Sequence, residues 1–252
     1  MAKKKLDSRS KESKLSRSNK KRSKASPLKR PPVEIFKGDL SLDALTKLKG
    51  HLSLAIDFET GCGDPEHKGC DCALDATKGI LRQVNLYTEG INKVFIVQVD
   101  RLIIHPANLV GLIQSTPMKI SHYSGFEIRW ALRQLSLLST EGLWLCTRIA
   151  SQILHRDGEK HSYRDTVKRY LNVELNKDSS IQQCGWDPNK ELTKEQINYC
   201  IDDVIHLYPL VKKFKSYPNF PAFVWYRSCL EQQRFCSEEY KLPKLSKILG
   251  RM

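Results

Sequence analysis

The sequence predicts an α/β domain, a mixed sheet of five to six strands flanked by helices, and three observations carry that reading. A continuous apolar run, LSLAIDF at 52–58, ends in acidic residues and reads as a buried strand. Two β-branched segments, GILRQVNLY at 79–87 and KVFIVQV at 93–99, follow it directly, so the sheet starts with consecutive antiparallel strands. From residue 106 the apolar period changes, and helical and strand patterns alternate to position 155. Strands first and alternation afterwards is the signature of a mixed sheet with helices on its faces.

In chain order, residues 1–32 come first as a disordered basic tail of Lys, Arg and Ser ending in a Pro pair, with too few apolar residues to fold alone. They dominate the charge. The full chain carries 42 Lys+Arg against 28 Asp+Glu, a formal +14, and residues 1–30 hold 13 of those bases with only Asp7 and Glu12. The tail up to Arg30 is thus +11 and the remaining 222 residues about +3. The body is not uniformly basic, so a positive groove has to come from local placement. The tail reads either as a solvated, self-repelling segment or as an electrostatic tether for phosphates, with NKKRSK as a nuclear address.

After the three strands, PANLVGLIQ (106–114) reads as a helix, MKISHY (118–123) as a short strand and GFEIRWALRQL (125–135) as an amphipathic helix. LWLCT (143–147) is a further strand, with helical stretches near 147–155, 162–171, 193–214 and 221–235. The organisation expected is a folded domain over 33–215 and a helical extension over 216–252 packed on it. No apolar stretch approaches the roughly 18 residues a membrane span requires, and no apolar leader follows the basic start. A soluble intracellular protein is expected, cytoplasmic in a bacterium or nuclear in a eukaryote. Eight irregularly spaced cysteines without a secretion signal are expected to be reduced thiols.

The chemistry-bearing residues are acidic. Asp57 and Glu59 stand two apart on a strand, and alternation sends both carboxylates to one side, as a metal site needs. Tyr199 and Asp203 stand four apart in EQINYCIDDVIHLYPLV, one turn apart on a helix face beside an apolar stripe of Ile197, Ile201, Val204 and Leu207. Glu127 lies near the start of a helix that follows a short strand, where an acid also suits the helix dipole. Each alone has a bland explanation, as a solvated, capping or hydrogen-bonded group.

Together, the order DFET, then H-x-x-x-F-acid, then Y-x-x-x-D resembles the Tyr-containing subtype of the DEDD 3′→5′ exonucleases. That family includes ribonuclease D and the proofreading domain of family A DNA polymerases. The connecting segments are similar too: LDATKGILRQVNLY (74–87), CTRIASQIL (146–154), and the stretch 161–211 with Lys177, Trp186 and its LT-x-EQ helix start. The resemblance covers residues 50–212 and implies a ribonuclease H-like fold. It also implies 3′→5′ hydrolysis of single-stranded DNA or RNA ends by two divalent ions, Mg²⁺ or Mn²⁺. By that similarity Asp57 bridges both ions, Glu59 and Asp203 complete one site, Tyr199 orients the water, and Glu127 serves the second ion. His122 and Phe126 take family-typical packing positions, with His122 also a substrate-contact candidate, and Thr60 is a candidate contact for the terminal nucleotide.

Two features depart from the family pattern. Glu127 stands where the family uses Asp, which keeps the charge and lengthens the arm by one methylene. The alternative function is therefore a weakened or inactive nucleic-acid-binding or scaffold module of the same fold. The second is an insertion, GCGDPEHKGCDC (61–72), in which Cys62, His67, Cys70 and Cys72 have zinc-ligand chemistry but lack the CxxC knuckle. It reads either as a Zn²⁺ site or as a flexible loop at the rim of the site. A protein partner is unknown from the sequence: FPAFVWYRSCLEQQRFCSEEYKL (220–242) reads as a final helix closing the domain's own core, with a helix that docks on a partner as the weaker alternative. Deleting residues 1–32 is expected to weaken nucleic-acid binding and flatten its dependence on salt while sparing the chemical step, and titrations at low and moderate salt check it.

Overall fold

A computed structural model of the chain describes residues 30–62, 72–99, 105–137, 141–155, 159–175, 186, 190–218 and 220–239. The strands among them are β1 (Val33–Lys37), β2 (Ser53–Cys62), β3 (Gly79–Thr88), β4 (Lys93–Gln98), β5 (Met118–Ser121) and β6 (Leu143–Cys146). The helices are α1 (Leu42–Leu48), α2 (Ala107–Ser115), α3 (Ser124–Gln134), α4 (Thr147–Leu154), α5 (Tyr163–Leu171), α6 (Lys194–Ile205), α7 (Leu207–Phe214) and α8 (Phe220–Glu239). A single 3-10 turn, Cys72–Leu74, precedes β3. The strands form one sheet in the order β1-β4-β3-β2-β5-β6. β3 pairs antiparallel with both β2 and β4, while β1 pairs parallel with β4, and β5 and β6 run parallel with β2. The mixed six-stranded sheet is the fold class expected from the sequence.

Alternation along β2 divides the core in two. Leu54, Ile56 and Phe58 point to one face, where they pack with residues of α1, α2 and α3, including Leu48, Leu112, Ile113 and Trp130. Ala55 points to the other face and joins Ile96, Tyr163, Val167, Tyr199, Val204 and Phe214 from β4, α5, α6 and α7. With a period of two, Asp57 and Glu59 share the face of Ala55, under α6. α8 lies against α3, α4 and β6, where Ser228 Oγ accepts from the Cys146 amide at 3.4 Å and Gln232 spans the Trp144 amide and the Gly142 carbonyl. Phe220 and Val224 at its start are fully buried. Among the described residues no helix is long and apolar enough to cross a membrane.

Four sequence expectations change. Val33–Leu48 forms an edge strand and a helix, although the α/β pattern is legible only from Leu52. β1 is short and half-exposed, so it lacks the apolar run that marks the central strands. β2 does not end at its acids but continues to Cys62, with a register irregularity between Glu59 and Thr60. The helix expected over 193–214 breaks at His206, because Pro209 has no N–H to donate to the Ile205 carbonyl; the break leaves Pro209 in the first turn of α7. The cysteines are not all thiols: Cys62 and Cys72 form a disulfide with Cα atoms 5.3 Å apart, since β2 and the 3-10 turn bring together the two ends of the insertion. Residues 1–29 of the basic tail, and Lys177, lie outside the described residues.

Lys119 on β5 is buried at the sheet end remote from Ser121, its ammonium donating to the Thr116 and Glu141 carbonyls and lying 5.6 Å from the centre of the Trp144 ring. Burial pushes its pKa down to about 8. The folded state therefore binds this proton less tightly than the unfolded chain, and the penalty, complete below that pH, is relieved as pH rises from 8 toward 10.5. Chemical denaturation should show Lys119→Met removing a stability rise of roughly 3 kcal/mol from that window, relative to wild type.

Candidate active site

The site is assembled by the face that β2 shares with α6. Asp57 and Glu59 leave β2 on that side, and α6, packed over β2, β3 and β4, presents Asp203 to them. Carboxylate oxygens of Asp57, Glu59 and Asp203 all lie within 4.8 Å of one another. Glu59 and Asp203 are buried and Asp57 is half-buried. The start of α6 is fixed by a capping box, in which Thr193 accepts from the Gln196 amide and the Gln196 side chain accepts from the Thr193 amide. That cap sets where the helix begins and so which residues face the sheet.

Opposite the acids, β3 supplies two polar groups that sequence reasoning did not single out. Asn85 pairs with Asp57 in the strand register and donates to Asp57 Oδ2 at 3.2 Å. Gln83 pairs with Glu59, and its amide donates to Asn85 Oδ1 at 2.9 Å and to Cys200 Sγ at 2.7 Å. Gln83 thereby ties β3 to α6 directly beneath the carboxylates. The signal was present: two amides at i and i+2, buried, in a strand whose other buried residues are mostly apolar. Gly79 at the start of β3 is required by close approach, since a Cβ there would lie 2.5 Å from the Cys72 carbonyl oxygen and 2.7 Å from the Trp130 ring.

The acids impose a negative field on their neighbours. The Tyr199 phenol, one turn before Asp203, is pushed far above its ordinary range by burial and then by Asp203, Glu59 and Asp57. Burial and the same carboxylates raise the Cys200 thiol, while burial followed by Asp203 and Asp57 raises the Tyr163 phenol. Tyr199 stays a neutral donor, its ring 6.0 Å from that of the buried Trp186. Tyr163 donates to the Asp202 carbonyl at 3.1 Å, holding α5 against the turn of α6 that carries Asp203.

Glu127 enters from a different element, the first turn of α3 beyond the end of β5. It is buried, its Oε2 has no hydrogen-bond partner among the described residues, and burial, with the charge of Asp57 next, holds its carboxyl well above the usual range. It stands outside the group of three whose oxygens converge. His122 is engaged through both ring nitrogens, with Thr147 Oγ1 and the His161 carbonyl each at 3.0 Å, and its ring edge meets Tyr163 at 5.1 Å. The Thr60 hydroxyl donates to the Ala73 carbonyl. Of the zinc candidates, Cys62 and Cys72 are joined to each other, which removes both thiolates as ligands, and His67 and Cys70 lie outside the described residues.

Three hard carboxylates, two of them buried, fit a divalent cation that prefers oxygen, such as Mg²⁺ or Mn²⁺. Without a cation their mutual repulsion opposes folding. Mn²⁺ at a hundredfold excess over its Kd should add about 2.7 kcal/mol to wild-type stability. In thermal melts, Asp203→Asn should raise the metal-free melting temperature and abolish the rise with Mn²⁺.

Comparison with known proteins agrees with this geometry. A family model described as 3′-5′ exonuclease matches residues 32–217. No curated protein sequence gives a significant match. Among solved structures, a nuclease in its apo form superposes with a TM-score of 0.67 at 22% identity, over 81% of this chain and 91% of that one. NrnC of Brucella melitensis gives 0.60 at 20% identity, over 82% of this chain and 89% of its own, and has also been solved with Mg²⁺ and with pGG. RNase D of Escherichia coli, an exoribonuclease involved in structured RNA processing, gives 0.61 at 18% identity, over 81% of this chain and 50% of its own. With a sheet of the same architecture and a family match across 32–217, the chain belongs to the 3′-5′ exonuclease family.

Proposed function

We propose that the chain is a 3′→5′ exonuclease that removes nucleotides from single-stranded DNA or RNA ends by a mechanism dependent on two divalent ions. The observation that carries this reading is the convergence of the Asp57, Glu59 and Asp203 oxygens within 4.8 Å, with Tyr199 one helical turn from Asp203. The Mg²⁺-bound and pGG-bound forms of the Brucella protein support both the metal and the nucleotide substrate.

Asp57, Glu59 and Asp203 hold the ions, with Glu127 serving the second from α3. When bound, the ions supply the positive charge that stabilises an in-line displacement at phosphorus and makes a water acidic enough to attack it. The chain's own groups do the positioning. Asn85 fixes the Asp57 carboxylate by donating to Oδ2. Tyr199, whose phenol keeps its proton in the field of the acids, donates a hydrogen bond and orients the water rather than acting as a base. His122 holds the end of β5 to α4, so that α3 starts where Glu127 can reach the site. Thr60, through its backbone, and the β5–α3 corner at His122 are the contacts for the terminal nucleotide. We assign this activity to residues 33–215, with the 216–252 extension contributing α8, which packs on α3; its residues 240–252 lie outside the described residues.

A second reading is favoured by one observation: Glu127 is longer than the family's Asp, and its Oε2 is buried without a partner among the described residues. A site that cannot place its second ion would bind nucleic acid without cutting it. End-labelled single-stranded DNA and RNA with Mg²⁺ or Mn²⁺ separate the two. The exonuclease reading expects a ladder shortened from the 3′ end, a loss of roughly 10³-fold in Asp57→Asn and of roughly 10²-fold in Tyr199→Phe. A silent wild type whose Glu127→Asp variant turns over establishes the second reading; equal products from wild type and Asp57→Asn refute the first.

A further inference from the structure

The Cys62–Cys72 disulfide has no part in the hydrolytic reading, yet it lies three residues beyond Glu59 on the strand that carries two of the acids. Up to Glu59, β3 holds β2 through two polar pairs, Asn85 with Asp57 and Gln83 with Glu59. The register then slips between Glu59 and Thr60, so that Arg82 is skipped and the last pairs are Thr60 with Leu81, Gly61 with Ile80 and Cys62 with Gly79. A slip of this kind twists and weakens the ladder locally. The end of β2 is held in addition by two links to the 3-10 turn Cys72–Leu74: the disulfide from Cys62, and the Thr60 hydroxyl donating to the Ala73 carbonyl.

That turn is seated on the helix that carries Glu127. Gln134 of α3 donates to the Ala76 and Gly79 carbonyls at 3.1 and 3.3 Å, and the Gly79 amide donates to the Asp75 carbonyl at 2.8 Å. The disulfide therefore ties the strand of Asp57 and Glu59 to a turn fixed on α3, the element of Glu127. Asp203 is held independently of it, since α6 is anchored by its capping box and by Gln83 donating to Cys200. Access agrees with a reactive role: Cys62 and Cys72 are both half-exposed, whereas the Cys146 and Cys200 thiols are buried.

We propose that Cys62 and Cys72 form a thiol–disulfide exchange site whose redox state sets the affinity of the carboxylate cluster for its divalent ions. The proposal rests on the metal-dependent reading and adds a control to it. The reductant is a dithiol. One of its thiolates attacks the Sγ of Cys62 or Cys72, the S–S bond breaks, and a mixed disulfide forms as the other cysteine leaves as a thiolate and takes up a proton. The second thiolate of the reductant displaces the remaining cysteine and closes its own disulfide, so two electrons and two protons pass to the protein. In the reduced chain the end of β2 keeps only its weakened ladder and the hydrogen bonds around it, and Glu59 is held less firmly where the ions need it. A metal ligand whose support is loosened loses affinity, here about tenfold. Oxidation by a disulfide reverses these steps and restores the cross-link.

The test is calorimetric titration of the metal-free full chain with Mn²⁺ in two states, oxidised with glutathione disulfide, or reduced with dithiothreitol and then separated from it under argon. Peptide mapping after alkylation reads the state of each cysteine, and Cys62→Ser/Cys72→Ser and Cys229→Ser are run beside the wild type. The oxidised chain should show Cys62 and Cys72 protected from alkylation and bind Mn²⁺ about tenfold more tightly than the reduced chain. The double serine variant should bind like the reduced chain whatever its treatment, and Cys229→Ser should respond as the wild type does. Far-UV circular dichroism should be the same in both states. Alkylated Cys62 and Cys72 in the oxidised chain, equal affinity in the two states, a double variant that still responds to dithiothreitol, or loss of helix on reduction would each overturn the proposal. Equal affinity in both states leaves the metal-dependent reading standing, whereas no Mn²⁺ binding in either state ends both.

Discussion

Repulsion among three carboxylates, two of them buried, is the constraint around which this molecule is organised. Asp57, Glu59 and Asp203 are held with oxygens inside 4.8 Å, an arrangement that charge alone would disperse. It survives because each acid sits on a rigid element whose position is set elsewhere. β2 is central, bounded by β3 and β5, and α6 is anchored by its capping box and by Cys200 receiving the Gln83 amide. Rigidity of this kind stores an electrostatic cost that a divalent cation removes, so affinity for the ion and stability of the fold are linked quantities.

The same constraint explains the polar groups buried around the cluster. Asn85 and Gln83 occupy positions on a central strand that an apolar side chain would otherwise fill, and they form a short chain from Asp57 to Cys200. A chain of this kind aims one carboxylate oxygen and fixes the rotation of α6 relative to the sheet. Tyr163 performs the corresponding task from α5 by bonding the carbonyl of Asp202. Burial and the field of the same acids raise the Tyr199 phenol above its ordinary range.

Around the rim, the chain departs from a minimal exonuclease sheet. The insertion after Glu59 returns to the sheet through Cys72, joined to Cys62, and through the turn that Thr60, Gln134 and Gly79 hold against α3. The effect is to wall a cleft between that turn and α3. α8 supports that wall from behind, since it packs on α3 and on β6.

The acids themselves were legible in the sequence because local periodicity suffices to orient them. A spacing of two in an apolar strand and of four in a helix puts each pair on one side whatever the rest of the chain does. The central strands were legible for the same reason, being long apolar runs. β1 was not, because an edge strand is half-exposed and lacks that run. The break at His206 could have been read from Pro209, yet the apolar stripe continues across it and conceals it. Asn85 lies opposite Asp57, Cys62 meets Cys72, and Leu74 faces Arg129 only through strand register and loop return. Sequence alone therefore determined which residues carry the charge and how each pair points. The tertiary structure decided that the pairs converge, because contacts between distant segments depend on register, and register is settled by packing the whole sheet.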